Sequence, residues 1–527
     1  MVWRAADPQG HESEKIKWEL VPFTRGRGLD IGCGPYKPFP HFRGVDNNKD
    51  ESLFGVRATA ADWIVPDASE LSDFASATQD FVFSSHCLEH IEDHKKALKE
   101  WWRVLRPGGH LVLYLPHAEL YPKIGEEGAN PDHKHDFMPE DIIEVMKEIG
   151  GWDLLRDEKR AEEREYSFFQ VYKKYSEAKI HRFTAHKPKP EKTCAIIRYG
   201  AYGDVIQSTT LLPALKAEGY HVTLYTTPRA YEAVKHEPNI DAFVLQDDNQ
   251  VPNAELGPYW DYLKKNNTKF INLSESVEAS LLAMPDRMPY QWDTATRHKY
   301  MNLNYWEFTH NIARIEFKRP QSRFYATDEE KKWAKKERAK LGADPLVMWV
   351  LRGSSLHKVW SGGEDADNGA TGFDGILARI MLQYPNAKVI TCGDKSCAEI
   401  IEAPWVNEDR IVKRSGVWTI RQTMAMAQVC DVVIGPETGV MSAVAMEPMK
   451  KIVFMSHSSV DNLTRDWVNT VSLVPVNTEC YPCHKLIWNW SQCNQDGESG
   501  IAKCQASITP AVVWDALREE LDRQEAA

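Results

Sequence analysis

The stretch RYGAYGDVIQSTTLLPALK, residues 198–216, places a turn of small residues between an apolar run and a helix-like segment. Backbone N–H groups at a helix start form a binding site for an anion, so this turn indicates a ligand of nucleotide size. An earlier stretch, GLDIGCGP at residues 28–35, makes another turn of this kind. We therefore expect two separate pockets, each at a glycine bend that follows a strand.

Length and composition limit the possible protein classes. The chain has 527 residues, too many for one hydrophobic core, which favours three or four domain-sized units. Its 43% hydrophobic and 27% charged residues are typical of a globular protein. The net charge of -12 argues against a protein that holds long nucleic acid through its phosphates. The sequence has no apolar run of membrane-spanning length and no secretory signal near residue 1, so we expect a cytoplasmic protein.

The order of strand-like and helix-like runs divides the chain into parts. The runs alternate from residue 28 to about 173, stop in a polar stretch with two prolines, and resume at Thr193. A charged helix with a capping box ends at Gly342, and a fresh strand follows it. We predict an α/β fold throughout, with domains at 1–175, 193–342 and 343–527 and a linker at 176–192.

Acidic residues follow the first glycine turn in a regular order. A buried strand, Leu29–Ile31, runs into Gly32 and Gly34, where glycine lets the backbone approach a ligand closely. Asp46 follows a short second strand, where a carboxylate can accept hydrogen bonds from both ribose hydroxyls. Asp67 comes next, placed to meet an adenine amino group.

By these motifs, residues 25–175 resemble the class I S-adenosylmethionine-dependent methyltransferases, in particular a subgroup with LDIGCGP and an EH-containing fourth-strand motif. The resemblance implies a seven-stranded Rossmann-like sheet that binds S-adenosylmethionine, the methyl donor, at the carboxyl ends of its strands. The first crossover, PYKPFPHFRGV, contains three prolines, so we predict a loop in place of its helix. The donor-binding residues that the resemblance implies are Asp30, Gly32 and Gly34 (methionine end), Asp46 (ribose), and Asp67 with Ala68 (adenine).

Histidines after the fourth strand allow a metal-binding interpretation. His90 and His94 are one helical turn apart, with His86 and Glu89 close by. No glutamate lies between the two histidines as in HExxH, so we predict loop residues beside the donor and no metal site. The stretch HKHDF, residues 133–137, could line the acceptor side with a histidine base, although surface histidines are the simpler interpretation.

The second glycine turn differs from a dinucleotide fingerprint, because GxGxxG and a following ribose-binding acid are both missing. It places Asp204 directly after Gly203 at a helix start, where the carboxylate could be a general base or a plain helix cap. Further along, the loop HKVW carries Lys358, and GPETG places Thr438 and Gly439 where their amides can bind a diphosphate.

Together these motifs resemble glycosyltransferase family 9, the ADP-heptose:lipopolysaccharide heptosyltransferases, from about residue 193 to 527. The resemblance implies a GT-B architecture, in which two Rossmann-like domains face a cleft and bind the acceptor and the nucleotide-sugar. It implies that Asp204 deprotonates the acceptor hydroxyl and that Lys358 neutralises the departing diphosphate without a metal. The amides of Thr438 and Gly439 assist Lys358, and Glu437 matches the family's acidic position.

Two departures from that family leave the identity of the donor sugar undecided. Ser442 stands where the family has a histidine, and Glu399 lies two places late for the acid that holds the nucleotide ribose. ADP-heptose is therefore only the donor that the family suggests. Aromatic residues in the stretch 250–325 suit an acceptor sugar, but they also suit a hydrophobic core.

Four of the ten cysteines lie close together near the end of the sequence. Their spacing, CxxC followed by gaps of nine and ten residues, is loose for a zinc knuckle. A structural staple, through zinc or a disulfide, and free thiols under a loop are the alternatives. The cysteines are Cys480, Cys483, Cys493 and Cys504.

The sequence thus favours a bifunctional transferase: an S-adenosylmethionine-dependent methyltransferase joined to an inverting glycosyltransferase that uses a nucleotide-diphosphate sugar. We expect small-molecule donors and a glycan or glycolipid acceptor, such as a surface glycan or lipopolysaccharide. One alternative keeps the glycosyltransferase beside a non-catalytic methyltransferase-like module. Another is a base-modifying enzyme acting on nucleic acid, which would need a basic groove that the sequence does not suggest.

Overall fold

A computed structural model describes residues 12–47, 59–162, 164–177, 180–274, 288–319, 321–353, 355, 357–360, 372–487 and 489–526. The chain divides into two compact units. The first unit comprises Met1–Glu191 and Val244–Asn266, and the second comprises Lys192–Phe243 and Asn267–Ala527. In the part of the chain that the structure describes, no helix has both the length and the apolar content needed to cross a bilayer.

The first unit is built on one sheet with the strand order β3-β2-β1-β4-β5-β7-β6-β8. The strands from β3 to β5 in this order run parallel, whereas β7 is antiparallel to β5 and β6. A two-residue eighth strand extends the seven that the methyltransferase resemblance implied. The strands are β1 (Gly28–Ile31), β2 (Arg43–Asp46), β3 (Ala61–Ile64), β4 (Gln79–Ser85), β5 (Leu105–Pro116), β6 (Trp152–Arg160), β7 (Ser167–Lys174) and β8 (His181–Arg182).

The second unit contains two sheets, one in each half. The orders are β11-β10-β9-β12 and β15-β14-β13-β16-β17-β18. The strands of the first sheet are β9 (Thr193–Ile197), β10 (His221–Thr226), β11 (Ala242–Leu245) and β12 (Lys269–Asn272). Those of the second are β13 (Leu346–Val350), β14 (Lys388–Cys392), β15 (Ile411–Lys413), β16 (Val432–Pro436), β17 (Lys450–Phe454) and β18 (Thr470–Leu473). The predicted α/β fold class is confirmed, since each sheet has the order of a Rossmann-like domain.

Helices connect and cover these strands. They are α1 (Lys17–Leu20), α2 (His94–Val104), α3 (Pro139–Ile149), α4 (Tyr202–Ser208), α5 (Leu212–Ala217), α6 (Pro228–Val234), α7 (Leu256–Lys265), α8 (Thr294–Met301), α9 (Tyr305–Ala313), α10 (Asp328–Leu341), α11 (Gly372–Gln383), α12 (Lys395–Cys397), α13 (Ile420–Ala427), α14 (Gly439–Ala443), α15 (Val460–Leu463), α16 (Lys503–Ala506) and α17 (Pro510–Glu525).

Local sequence explains several helix boundaries. The side chain of Thr327 accepts a hydrogen bond from the Glu330 backbone N–H, and Glu330 caps the Thr327 N–H in return, so α10 begins with a capping box. Gly342 ends α10 in the left-handed conformation with φ of 57°. Residues 32–42, the proline-rich first crossover, contain no helix.

Central strands place the glycine turns at the ligand-binding edge of each sheet. β1 lies between β2 and β4, and β9 lies between β10 and β12. β13 has β14 on one side and β16 on the other. At such a reversal of strand order, connections leave toward opposite faces of the sheet and open a crevice at the carboxyl ends of the strands.

One buried arginine ties the two halves of the second unit together. Arg421 in α13 is 3% exposed. It binds Glu330 of α10 through two nitrogens at 2.6 Å each, and it also donates to the backbone carbonyls of Glu232 and Tyr325. Since Glu232 belongs to the half that contains the sheet of β9–β12, this guanidinium links the two halves of the unit.

Replacing Glu330 with alanine should destabilise the second unit by about 3 kcal/mol, because it leaves the Arg421 charge buried without its carboxylate. Calorimetric unfolding of the full chain measures this change. Burial would raise the pKa of Glu330, but hydrogen bonds from Arg421 and the Thr327 N–H hold that pKa below its ordinary value. The contribution of the Glu330–Arg421 ion pair to the free energy of unfolding is therefore complete at neutral pH. It is lost as the pH falls through that lowered pKa.

Glu337→Ala is the matched control for this prediction. Glu337 is on the same helix and pairs with Lys340, whose side chain is 57% exposed. Its removal should change stability by no more than about 0.5 kcal/mol. Equal losses in the two variants would show that Arg421 does not depend on Glu330.

Candidate functional site

In the first unit, a glycine turn and three polar side chains follow four neighbouring strands at one edge of the sheet. Gly32 and Gly34 come after β1, Asp46 ends β2, Asp67 follows β3, and His86 follows β4. Because these strands are parallel and adjacent in the order β3-β2-β1-β4, the groups form one row. The structure thus places the sequence-predicted donor residues along a common edge.

The first glycine turn requires glycine for two reasons. Gly32 and Gly34 have φ of 77° and 54°, in the left-handed region that side chains disfavour. A Cβ at Gly32 would lie 2.5 Å from the Cys87 sulfur, whereas a Cβ at Gly34 would meet nothing within 4 Å. The Gly34 N–H donates to Asp46 Oδ2 at 2.9 Å. The turn and the second-strand acid are therefore one rigid element beside open space.

The other predicted donor residues have contrasting surroundings. Asp30 is 2% exposed, and within the described part of the chain its Oδ2 atom has no hydrogen-bond partner. Burial raises the pKa of Asp30 well above its usual range. Asp67 is exposed and accepts a hydrogen bond from the Ser69 N–H at 2.8 Å, and the Ala68 carbonyl accepts one from Trp101 at 2.8 Å.

A carboxylate surrounded by imidazoles follows β4. Glu89 is fully buried, and its Oε1 atom lies 3.8 Å from His86 Nδ1 and 3.9 Å from both His90 Nε2 and His133 Nε2. Burial raises the pKa of Glu89 to about 8. The one-turn spacing of His90 and His94 suggested that these two histidines could share a metal ion, but the structure gives them different partners. His94 instead lies 3.3 Å from His135, and His133 joins His90 and Glu89.

In the second unit, the starts of two helices meet. A Cβ at Gly439, the first residue of α14, would lie 2.5 Å from the Tyr202 Cβ and 3.1 Å from the Gly203 nitrogen. A Cβ at Gly203 would lie 3.1 Å from Ser442 Oγ. Glycine at both positions therefore allows the backbone of α4 to approach that of α14, and the two glycine-containing turns face a common cleft.

Asp204 lies on one wall of this cleft and is held by three donors. Its Oδ1 atom is 3.2 Å from Arg198 Nη2 and accepts a hydrogen bond from the Tyr305 hydroxyl at 3.2 Å. Its Oδ2 atom accepts from the Ala201 N–H at 3.2 Å. Arg198 is fully buried, whereas the Asp204 side chain is 28% exposed. The carboxylate is thus oriented from behind while one edge stays accessible.

Lys358 and Glu437 come from the other half of the second unit and line the same cleft. The aliphatic stem of Lys358 crosses Gly353, where an added Cβ would lie 2.8 Å from the Lys358 Cδ. Glu437 is buried and accepts hydrogen bonds from the N–H groups of Ser456 and Ser458, and its Oε2 atom is 2.6 Å from His457 Nδ1. Burial would raise the pKa of Glu437, but the charges of His457 and Lys358 and these hydrogen bonds lower it to about 2.

The cleft has a volume of about 570 Å³ and receives side chains from both halves of the second unit. Asp394, rather than Glu399, is the acidic residue from the loop after β14 that lines it. The sequence-predicted residues that line it together are Asp204, Lys358, Glu437, Thr438, Gly439 and Ser442.

Comparison with known proteins identifies part of the first unit. Residues 29–113 match the family model described as a methyltransferase domain. An uncharacterized protein of Methanocaldococcus jannaschii is 27% identical over 149 residues, covering 26% of this chain and 69% of that protein. A ubiquinone/menaquinone biosynthesis C-methyltransferase of Vibrio vulnificus is 30% identical over 118 residues, covering 19% of this chain and 42% of the enzyme. The predicted methyltransferase domain is confirmed, although the chain spans under half of the Vibrio enzyme.

Solved structures resemble this chain more distantly. A glycosyl transferase family 9 structure from Veillonella parvula has a TM-score of 0.45 and 14% sequence identity to this chain. The similarity covers 63% of this chain and 98% of that structure. At this similarity the activity of the second unit must be inferred from its own side chains.

Sequence reasoning missed several residues of the two sites. Arg198 directly follows the buried strand β9, six residues before Asp204, and an arginine at the end of an apolar run is a signal that could have found it. Tyr305 and His457 carry no local signal, because each reaches its site through a distant contact. His133 belongs to the stretch HKHDF, which the sequence suggested for the acceptor side, but its place beside Glu89 was not predicted.

The four clustered cysteines surround a second, much smaller cavity of about 20 Å³. His357 and Tyr481 also line this cavity. All ten cysteines are among the described residues, and each is a free thiol. Burial raises the pKa of Cys483 to about 12 and that of Cys493 to about 11.

Gly439→Ala should destabilise the second unit by about 1–3 kcal/mol, because the added methyl group has no room against Tyr202 and Gly203. Thermal unfolding of the full chain measures this loss. Gly497→Ala is the control, since a Cβ at that position of the same unit meets nothing within 4 Å. An unchanged midpoint in Gly439→Ala would mean that the two helix starts do not require their close approach.

Proposed function

We propose that the chain is a bifunctional transferase that combines S-adenosylmethionine-dependent methyl transfer with inverting glycosyl transfer from a nucleotide-diphosphate sugar. The observation that carries the second activity is that Asp204, from one half of the second unit, and Lys358, from the other half, line the same cleft. The first activity rests on the methyltransferase-domain match at residues 29–113.

The residues around the first glycine turn fit a methyl donor of this kind. Open space beside Gly34 admits a ligand against the backbone. Asp46 is oriented by the Gly34 N–H, and a carboxylate at this position can accept hydrogen bonds from ribose hydroxyls. Asp30 presents a buried oxygen that, among the described residues, has no protein partner and can accept from the amino group of the methionine end. The donor supplies an electrophilic methyl group on a sulfonium.

Asp46→Asn should weaken S-adenosylmethionine binding about tenfold or more, because an amide nitrogen cannot accept a hydroxyl hydrogen bond. Isothermal titration of the full chain measures this affinity. Asp73→Asn, an exposed acid of the same unit, is the control and should bind as the parent does. Parental affinity in Asp46→Asn would contradict the ribose role, and a parent that does not bind the donor would favour the non-catalytic module.

The second site fits transfer of a sugar from a diphosphate. Lys358 and the backbone amides of Thr438 and Gly439 place positive charge and hydrogen-bond donors on one wall of the cleft. Charge that develops on the leaving diphosphate is stabilised best by donors already in position. The buried anion Glu437 fixes His457 and lies near Lys358, which supports a precise orientation of this wall.

The other half of the second unit supplies the base. In the proposed reaction Asp204 takes the proton of an acceptor hydroxyl, and that oxygen attacks the anomeric carbon. The bond from this carbon to the diphosphate oxygen breaks on the opposite side, so the configuration inverts. Arg198 and Tyr305 hold the carboxylate in place, and Lys358 compensates the negative charge that departs with the nucleotide.

Asp204→Asn should lower the rate of sugar transfer at least 100-fold, because an amide cannot accept the hydroxyl proton. Binding of the nucleoside diphosphate, measured by titration, should stay within about threefold of the parent. Hydrolysis or transfer from a panel of nucleotide-sugars measures the rate. Equal rates in variant and parent would reject Asp204 as the base.

Lys358→Met tests the other wall with a side chain of similar length and no charge. It should weaken nucleoside diphosphate binding about tenfold and also slow transfer, because one charge-assisted contact is lost. Lys395→Met, an exposed lysine that does not line the cleft, is the matched control. Unchanged donor affinity in Lys358→Met would count against its phosphate role.

The covalent joining of the two transferases supports consecutive action on one acceptor, with sugar added at one site and a methyl group at the other. A surface glycan or a lipopolysaccharide-type glycolipid fits this order. Titration of candidate acceptors into the nucleotide-bound protein would identify which one binds, and binding of duplex DNA at physiological salt would favour the nucleic-acid alternative.

A further inference from the structure

Glu89 is a buried carboxylate that lacks hydrogen-bond partners among the described residues. The side chain is fully buried, and neither of its oxygens has a hydrogen-bond partner among the residues that the structure describes. The nearest imidazole nitrogens are 3.8–3.9 Å from Oε1, beyond hydrogen-bond distance. Burial of an unsatisfied carboxylate is costly, so such a group points to a ligand that completes it.

The atoms around Glu89 have the chemistry of metal ligands. One ligand atom each from Glu89, His90 and His133 lies within 4.8 Å of the others. Two imidazoles and one carboxylate are a donor set that binds divalent first-row transition metals and leaves further coordination positions open. Oxygen-preferring ions such as Mg²⁺ and Ca²⁺ suit this set less well.

We propose that Glu89, His90 and His133 bind a divalent transition-metal ion next to the methyl-donor edge of the first unit. Metal bonds of about 2.0–2.2 Å place neighbouring ligand atoms about 3.0–3.4 Å apart. Binding therefore draws the three side chains inward by about 1 Å. The histidine chains can move by this distance, while the backbone that carries them stays in place.

Backbone contacts hold the two parts of the site together. The Glu89 carbonyl accepts hydrogen bonds from the N–H groups of Lys134 and His135 at 2.8 and 3.3 Å, which anchors the loop that carries His133.

The site lies beside the donor-binding turn. Cys87, two residues before Glu89, packs against Gly32, the first glycine of that turn. An ion with open coordination positions here can bind an acceptor oxygen or nitrogen and lower its pKa. This role rests on the methyl transfer proposed above, whereas metal binding itself does not.

The test uses the full chain, treated with a chelator and then titrated with Co²⁺, with bound metal counted by mass spectrometry after gel filtration. We expect the parent to bind about one Co²⁺ per chain more than Glu89→Gln or His133→Gln, because each variant removes one of only three protein ligands. The lost signal should be the weak visible bands of nitrogen and oxygen coordination. Thiolate charge-transfer bands from the cysteine cluster should be the same in all variants.

His94→Gln and His135→Gln are the matched controls, since these two neighbouring histidines pair with each other outside the site. They should keep the parental Co²⁺ content. S-adenosylmethionine affinity and the thermal midpoint, measured on each variant, separate loss of the metal from misfolding and from failure of the donor site.

Equal Co²⁺ content in the parent and in a folded Glu89→Gln variant would overturn the proposal. An equal loss of metal in His94→Gln would do the same, because it would place the ion at another histidine. Zn²⁺ competition that removes the visible bands only from the parent and the two controls would support the site.

Discussion

The close approach of Gly439 to the backbone of Tyr202 and Gly203 is the constraint on which the second site depends. No side chain fits between the two helix starts, so α4 and α14 are brought together at distances that other residues would prevent. This contact places Asp204 and Lys358 in the same cleft although 154 residues separate them in the sequence. A buried arginine, Arg421, holds the same two halves from another side.

Three buried or half-buried carboxylates show how surroundings decide what an acid can do. Glu437 accepts hydrogen bonds from backbone N–H groups and lies 2.6 Å from the His457 ring, so it acts as a fixed anion beside the cleft. Asp204 is held from behind by Arg198 but keeps an accessible edge, which suits proton transfer. Glu89 lies among imidazoles that are too far away to satisfy it. Only the last arrangement calls for an ion.

Much of the fold could be predicted because its determinants are local. Glycine turns after apolar runs indicate the strand ends, and the capping residues Thr327 and Gly342 define α10. The prolines of the first crossover exclude a helix at residues 32–42. The segment Val244–Asn266 is different, because it belongs to the first unit through contacts such as Arg25 to Asp247 at 2.8 Å. No periodicity within that segment indicates this.

The sequence by itself determined the α/β class, the two glycine turns and the acids that follow them, since each depends on neighbours a few residues apart. Tertiary structure alone decided which side chains complete each site. It placed His133 beside Glu89, Tyr305 against Asp204, and His457 on Glu437. These pairs come from elements that meet only when the sheets and their connections pack. Hydrophobic burial drives that packing, and the local sequence pattern does not indicate which distant elements will meet.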